Sequence, residues 1–246
     1  MLTIELNPDC RPDIRIIGAE RTPVVVIDDP ILSVDALRVY ALEQATFGPD
    51  SQFAYPGIRA GTPPEYSRVL APQLAGLLRH LYSIPAACDY QLFHEVFSLV
   101  TEKPEDLMPL QRIPHTDTRH PFYFATVHYL NEGDFSGTGF FRHRPTSYER
   151  ISEERYPRLI QAGNAHMEAH GLPPMKYINE SDDHFELMAQ VDYRPNRLVM
   201  YPGNLLHSGL IRPELDLRDD PASGRLTANM FLYFQVQQDA PRRQHA

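Results

Sequence analysis

Residues 113–131 read IPHTDTRHPFYFATVHYLN, and residues 197–209 read RLVMYPGNLLHSG. Each joins histidine to a run of β-branched and aromatic residues, so strands are expected over 122–130 and 197–201. In an extended chain residues i and i+2 face the same way. His115 and Asp117 can therefore address one point while Thr116 turns away. Pro114 supports this by keeping Ile113 out of the helical region. The second segment delivers His207 from the end of a strand.

Working outward, the runs 90–100, 138–142 and 226–236 share this aromatic and β-branched character and are bounded by Pro, Gly, Asn or Asp, so they too are expected as strands. Proline outnumbers glycine 23 to 13 and falls in small groups, which suits a strand-and-turn protein better than a helical bundle. The first third reads differently. TPVVVID (22–28) is expected as a buried strand and 35–46 as a helix. Over 64–82, Val69, Leu70, Leu74, Leu77, Leu78 and Leu81 make a helical apolar stripe that Pro85 follows. The stretch 147–170 is charged and helix-favouring and is expected as a helical insertion. The fold expected is mainly β with α: one domain over 1–246, with N-terminal helices (about 1–88) on a jelly-roll core (about 89–240) and an insertion at about 147–193.

With 246 residues, 42% of them hydrophobic, the chain is long enough for one substantial core, and it holds no apolar run of bilayer-spanning length. Residues 1–10 include Glu5 and Asp9 and lack the basic and apolar regions of a secretory signal. Cys10 and Cys88 form neither a disulfide framework nor a CxxC zinc pattern, which fits a reducing cytoplasm. A net charge of -9 argues against a nucleic-acid partner, and no membrane association is expected.

The pair His115-Thr-Asp117 is weak evidence taken alone. With 11 histidines and 17 aspartates in the chain, random placement gives roughly 0.8 His-x-Asp matches. The chain also offers competitors. His166 and His170 stand one helical turn apart, as in zinc sites, but their intervening Glu168 is not placed as in HExxH. His184 and Glu186 lie in a polar stretch and read as surface; His80, His94, His120, His128 and His143 read as satisfied or solvated. What separates His115 and Asp117 is their continuation into a Tyr129-Leu130-Asn131 strand end, a glycine-rich turn, the His207 segment and GRLTANMFLYF (224–234). Two imidazoles and one carboxylate form the facial triad of non-haem Fe(II) oxygenases, which leaves three positions on the metal open.

Over about residues 113–234 this pattern resembles the Fe(II)/2-oxoglutarate-dependent dioxygenase superfamily, in particular its prolyl-hydroxylase-like branch and a group of bacterial proteins within it. The resemblance implies a double-stranded β-helix. It implies Fe(II) on His115, Asp117 and His207, with 2-oxoglutarate as cosubstrate and O2 as oxidant. It also implies that Arg225 anchors the far carboxylate of 2-oxoglutarate, a task suited to the planar guanidinium fork. Tyr129 inherits a supporting role there, and Thr227 and Asn229 share the strand face of Arg225 by the period of two. Two features depart from the pattern: an 18-residue gap between His207 and Arg225, and a loose match of SGTGFF (136–141) that leaves Thr138 a weak candidate.

The expected activity is hydroxylation of a small-molecule, amino-acid or peptide C–H bond, with release of succinate and CO2. The substrate itself is not legible. Arg142 and Arg144 alternate on a strand, and one of them can face the pocket and meet an acidic group. A cupin-type metal protein without 2-oxoglutarate chemistry and a non-catalytic jelly-roll binding module remain the alternatives, and the oligomeric state is open.

Overall fold

The computed structural model describes residues 2–50 and 55–236. The N-terminal part contains β1 (Pro12–Ile17), β2 (Thr22–Asp28), α1 (Val34–Glu43), β3 (Gly48–Pro49), β4 (Ile58–Gly61) and α2 (Pro64–Leu81). There follow β5 (Cys88–Leu99), β6 (Tyr123–Tyr129), β7 (Thr138–His143), α3 (Tyr156–His170) and β8 (Phe185–Val191). The chain then passes through β9 (Arg197–Pro202), β10 (His207–Gly209), α4 (Pro213–Asp216) and β11 (Thr227–Val236).

The protein is mainly β, built from two antiparallel sheets. The larger runs β1-β2-β9-β6-β11-β5-β4-β3, and the smaller β10-β7-β8. Alternation along the central strands explains why they read as near-continuous apolar runs. On β2, Val25 and Ile27 join one core while Val24 and Val26 join another; on β9, Leu198 and Met200 part from Val199 and Tyr201 in the same way. The first core also holds Leu37 of α1 and Tyr66, Leu70, Leu74 and Leu78 of α2. The second core fills the space between the sheets, where Phe140 of β7 and Val191 of β8 face β6 and β9. On β11 the outer set is Ala228, Met230, Leu232 and Phe234, which leaves Thr227, Asn229 and Phe231 pointing inward.

The stretch 147–170 is not one helix. Helix α3 begins only at Tyr156, with Pro157 in its first turn, where a missing N–H costs nothing. Before it Tyr148 bridges His143 and Arg150 bridges Leu205, and residues 153–155 form a turn that leads into the helix. The reason is Glu149, whose side chain is 1% exposed and accepts from the N–H groups of Ala19 (2.8 Å) and Glu20 (2.9 Å) and from Arg142 (2.6 Å). Helical backbone there would turn the carboxylate away from these donors. Further on, Phe185–Val191 lies within the expected insertion yet pairs along its length with β7. In β5 the register against β11 slips so that His94 and Glu95 together face Met230, with His94 at φ 52°. This bulge sets the phase that brings Ser98 opposite Thr227. No helix among the described residues is long and apolar enough to cross a membrane.

Candidate metal centre

His115 and Asp117 lie on an extended segment that adds to the edge of the small sheet. His115 exchanges both backbone hydrogen bonds with His207, each 3.0 Å, and the Asp117 N–H donates to the carbonyl of Gly203 at 2.8 Å. The three side chains are thereby fixed by backbone pairing. His115 Nε2 stands 3.8 Å from Asp117 Oδ1, and His207 Nε2 stands 3.6 Å from Asp117 Oδ2. Two ligand atoms each ~2.1 Å from one ion can be at most ~4.2 Å apart, so both separations suit a shared cation. All three ligand atoms lie within 4.8 Å of one another, and no other group of three such residues among those described does so.

The electrostatics point the same way. Burial draws the imidazoles of His115 and His207 down to about 4, so both are neutral with a lone pair to give. Burial also pushes Asp117 up to about 6, against the opposing pull of His115 and His94. A carboxylate whose side chain is only 17% exposed, set between neutral rings, gains from a cation. The carbonyl of Leu205 accepts from Nδ1 of His207 at 2.7 Å; because a carbonyl can only accept, Nδ1 carries the proton and Nε2 is left for metal. Gly203 keeps the carboxylate in place: a Cβ there would stand 2.9 Å from the Tyr123 ring and 3.3 Å from the Asp117 side chain.

Behind the triad opens a cavity of about 110 Å³ between the sheets. Arg225, 5% exposed, is on its wall. Its guanidinium donates to the carbonyls of Ser136 (2.6 Å) and Gly137 (3.4 Å) and lies 5.4 Å over the Tyr129 ring. No carboxylate among the described residues pairs with it. The long gap before Arg225 has a structural role here, because it contains Asp216. That buried carboxylate accepts from Ser136 N–H (2.9 Å) and Arg212 N–H (2.6 Å), which pins the carbonyls that hold Arg225. Thr227, Asn229 and Thr138 line the same cavity. Tyr129 does not: its ring packs under Arg225 and its hydroxyl is hydrogen-bonded to Thr138 Oγ1 at 2.8 Å.

Other expectations are corrected. Arg142 does not reach the cavity, since Glu149 (2.6 Å) and Glu186 (2.9 Å) hold it. Arg144 donates outward to the carbonyl of Asp182. His184 is 7% exposed rather than a surface residue, with its Nε2 2.8 Å from that of the fully buried His143. His166 stacks on it at 4.0 Å. Sequence reasoning missed Tyr55 and Arg59, both on the cavity wall. They belong to a part of the chain without a recognisable motif; pairing of β4 with β5 brings Arg59 to the site, and Tyr55 lies just before β4.

The family model described as "Family of unknown function (DUF6445)" matches residues 8–232. The chain belongs to this family. No curated protein matches this member of the DUF6445 family in sequence. Among solved structures, it is similar to HygX from Streptomyces hygroscopicus, a structure with nickel, 2-oxoglutarate and hygromycin B bound. That match has 17% identity over 87% of this chain and 84% of the other, with a TM-score of 0.45. It is also similar to the non-heme alpha-ketoglutarate-dependent carbocyclase SnoK from nogalamycin biosynthesis, at 11% identity, 88% and 81% coverage and a TM-score of 0.44. A third likeness is to an N-substituted L-amino acid dioxygenase from Burkholderia ambifaria AMMD in complex with alpha-KG, at 9% identity, 97% coverage of each chain and a TM-score of 0.39. At such distances the reading of the DUF6445 site rests on its own geometry.

Proposed function

We propose that this protein is a non-haem Fe(II)- and 2-oxoglutarate-dependent oxygenase that hydroxylates a C–H bond of a small-molecule, amino-acid or peptide substrate. The observation that carries the reading is the meeting of a two-histidine, one-carboxylate triad with a buried guanidinium on one cavity. His115, Asp117 and His207 would hold the iron, and Arg225 would take the far carboxylate of 2-oxoglutarate. With O2 as the oxidant, iron bound there with the cosubstrate would supply oxidative decarboxylation of 2-oxoglutarate to succinate and CO2, one oxygen atom going to succinate and the other to the substrate C–H bond.

The residues of the chain contribute binding and order. Three ligands leave the remaining coordination positions to exogenous groups. The guanidinium gives a dicarboxylate a charge-assisted anchor, and its own orientation is set by the carbonyls of Ser136 and Gly137. Thr227 and Thr138 add hydroxyls beside it. Apolar wall residues Val100, Ala125 and Val127 exclude water from the same space.

Anaerobically loaded with Fe(II) and then given O2, the wild type should turn 2-oxoglutarate over to succinate, even without substrate at a slow uncoupled rate. Arg225→Ala should lose binding of 2-oxoglutarate by about tenfold or more, the scale of a charge-assisted pair. No binding of 2-oxoglutarate and no succinate from the wild type would overturn the proposal.

A further inference from the structure

We infer that the outer end of the cavity receives a planar aromatic ring of the substrate, bearing an N–H or O–H that bonds to Asn229, so that the enzyme oxidises a neutral aromatic compound; the inference rests on the proposed oxygenase reading of the same cavity. The inward face of β11 changes character along its length. Arg225 precedes the strand and Thr227 opens it, Asn229 follows, and Phe231 and Tyr233 complete the face by the period of two. Across the sheet, Phe93 of β5 stands opposite Phe231, and Tyr123 of β6 stands opposite Tyr233. The inner end thus suits a dicarboxylate and the outer end a ring.

These four side chains form a continuous shelf. The Tyr123 ring stands 5.5 Å from Phe231 and 5.9 Å from Tyr233, and Phe93 stands 6.2 Å from Tyr233. His120 flanks it edge-on to Tyr233 at 4.7 Å, and His94, turned by the bulge in β5, is edge-on to Phe231 at 5.8 Å. None of the six rings is buried, and Phe93 is 39% exposed. The shelf starts at the metal centre. Phe231 lines the same cavity as the triad, and the Tyr123 ring and the Asp117 side chain both crowd the position of a Cβ on Gly203.

A second observation points to a ligand here. Oδ1 of Asn229 is buried with no hydrogen-bond partner, while its amide donates to Ser98 Oγ at 2.8 Å. An acceptor left bare is costly unless a donor reaches it. Asn229 lies one step inward of Phe231 on the same strand face, about 7 Å along the chain, so a ring seated on Phe231 can direct an N–H or O–H to it. The shelf itself contains no acid, lysine or arginine. Arg225 is at the inner end, and so is Arg59, which stands across Ser98 from Thr227 and has Asp50 and Glu102 acting on its charge. The outer end therefore selects a neutral group, and ring faces add offset and edge-on contacts that a saturated group of equal size cannot make.

The test uses the full chain loaded anaerobically with Fe(II) and saturating 2-oxoglutarate, whose own binding is measured first. Calorimetric titration compares phenol with cyclohexanol, and N-acetyl-L-phenylalanine amide with its cyclohexylalanine counterpart. At least one aromatic probe should bind about three- to tenfold more tightly than its saturated partner, and Phe231→Leu should erase that preference. Phe93→Leu, a change at the exposed rim, should weaken the same probe several-fold. Anisole, which lacks the O–H, should bind at least about threefold more weakly than phenol in the wild type, and Asn229→Leu should bring the two together. No aromatic probe binding, rings and saturated partners binding alike, a ring preference that survives Phe231→Leu, or phenol and anisole binding alike would each overturn the inference and leave the oxygenase reading in place. Failure of the wild type to bind 2-oxoglutarate at all would remove both.

Discussion

Asp117 is the residue on which the proposed metal centre turns, because it faces both imidazoles and has most to gain from a cation. Its carboxyl titrates at about 6 through burial, while His115 and His207 stay neutral down to about 4. Protons compete with metal first at the carboxylate as pH falls through about 6, then at the rings. Anaerobic titration with Fe(II) between pH 5 and 8 should show affinity level at the upper end and falling below about pH 6. A curve flat throughout would argue against these ligands. A second prediction concerns Gly203. The added methyl of Gly203→Ala must displace either the Tyr123 ring or the Asp117 carboxylate. Metal affinity should drop about tenfold or more, as when a group supporting a ligand is disturbed, and metal analysis of the anaerobically prepared variant reads this directly.

At the scale of elements, the triad depends on pairing between segments far apart in sequence. His115 meets His207 through two backbone bonds, and β5 reaches β11 through a bulge that phases Ser98 and Thr227. The small sheet is tied to the β1–β2 turn by Glu149, where Gly18 at φ 66° leaves no room for a side chain beside the carboxylate. Glu149→Ala strips Arg142 of its buried partner and two N–H groups of their acceptor. The loss should be about 3–5 kcal/mol in urea unfolding, as for removal of one member of a buried pair. Helix α2 is a more ordinary case. Leu74→Ala, in the first core, should cost about 2–5 kcal/mol by the same measurement while leaving metal affinity unchanged.

For the whole molecule, the buried histidines outside the metal centre set the acid limit of stability. His128 sits between the Tyr66 hydroxyl (3.0 Å) and Oδ1 of Asn196 (2.9 Å), and His143 and His184 share a 2.8 Å contact. Burial holds all three at about 4. Unfolded, each would titrate near 6.5, so between about 6.5 and 4 the unfolded chain binds more protons and stability must fall as pH falls. His128 contributes on the order of 3 kcal/mol by the time pH reaches 4, and His143 and His184 add to the loss as a coupled pair. Unfolding at a series of pH values should show stability nearly level above pH 6.5 and declining steeply below it, and His128→Gln should flatten part of the slope.

The sequence by itself marked β2, β5, β6, β7, β9 and β11 as strands through their β-branched and aromatic runs, and it put His115 and Asp117 on one face through their spacing of two, whereas β8 lies hidden in a stretch that reads as a helical insertion. It also placed Arg225 at the head of β11. The tertiary structure alone decided which cations reach the cavity. Arg142 and Arg144 are close to the site in sequence but are held by Glu149, Glu186 and the Asp182 carbonyl. Arg59 lies 56 residues before His115 in the chain yet joins the wall through β4–β5 pairing. Likewise His184 reads as surface in its polar stretch and is buried by His143 and α3. Local periodicity records the face a residue presents to its own strand or helix; the partner waiting on that face comes from distant chain, and only the packed sheets bring it there.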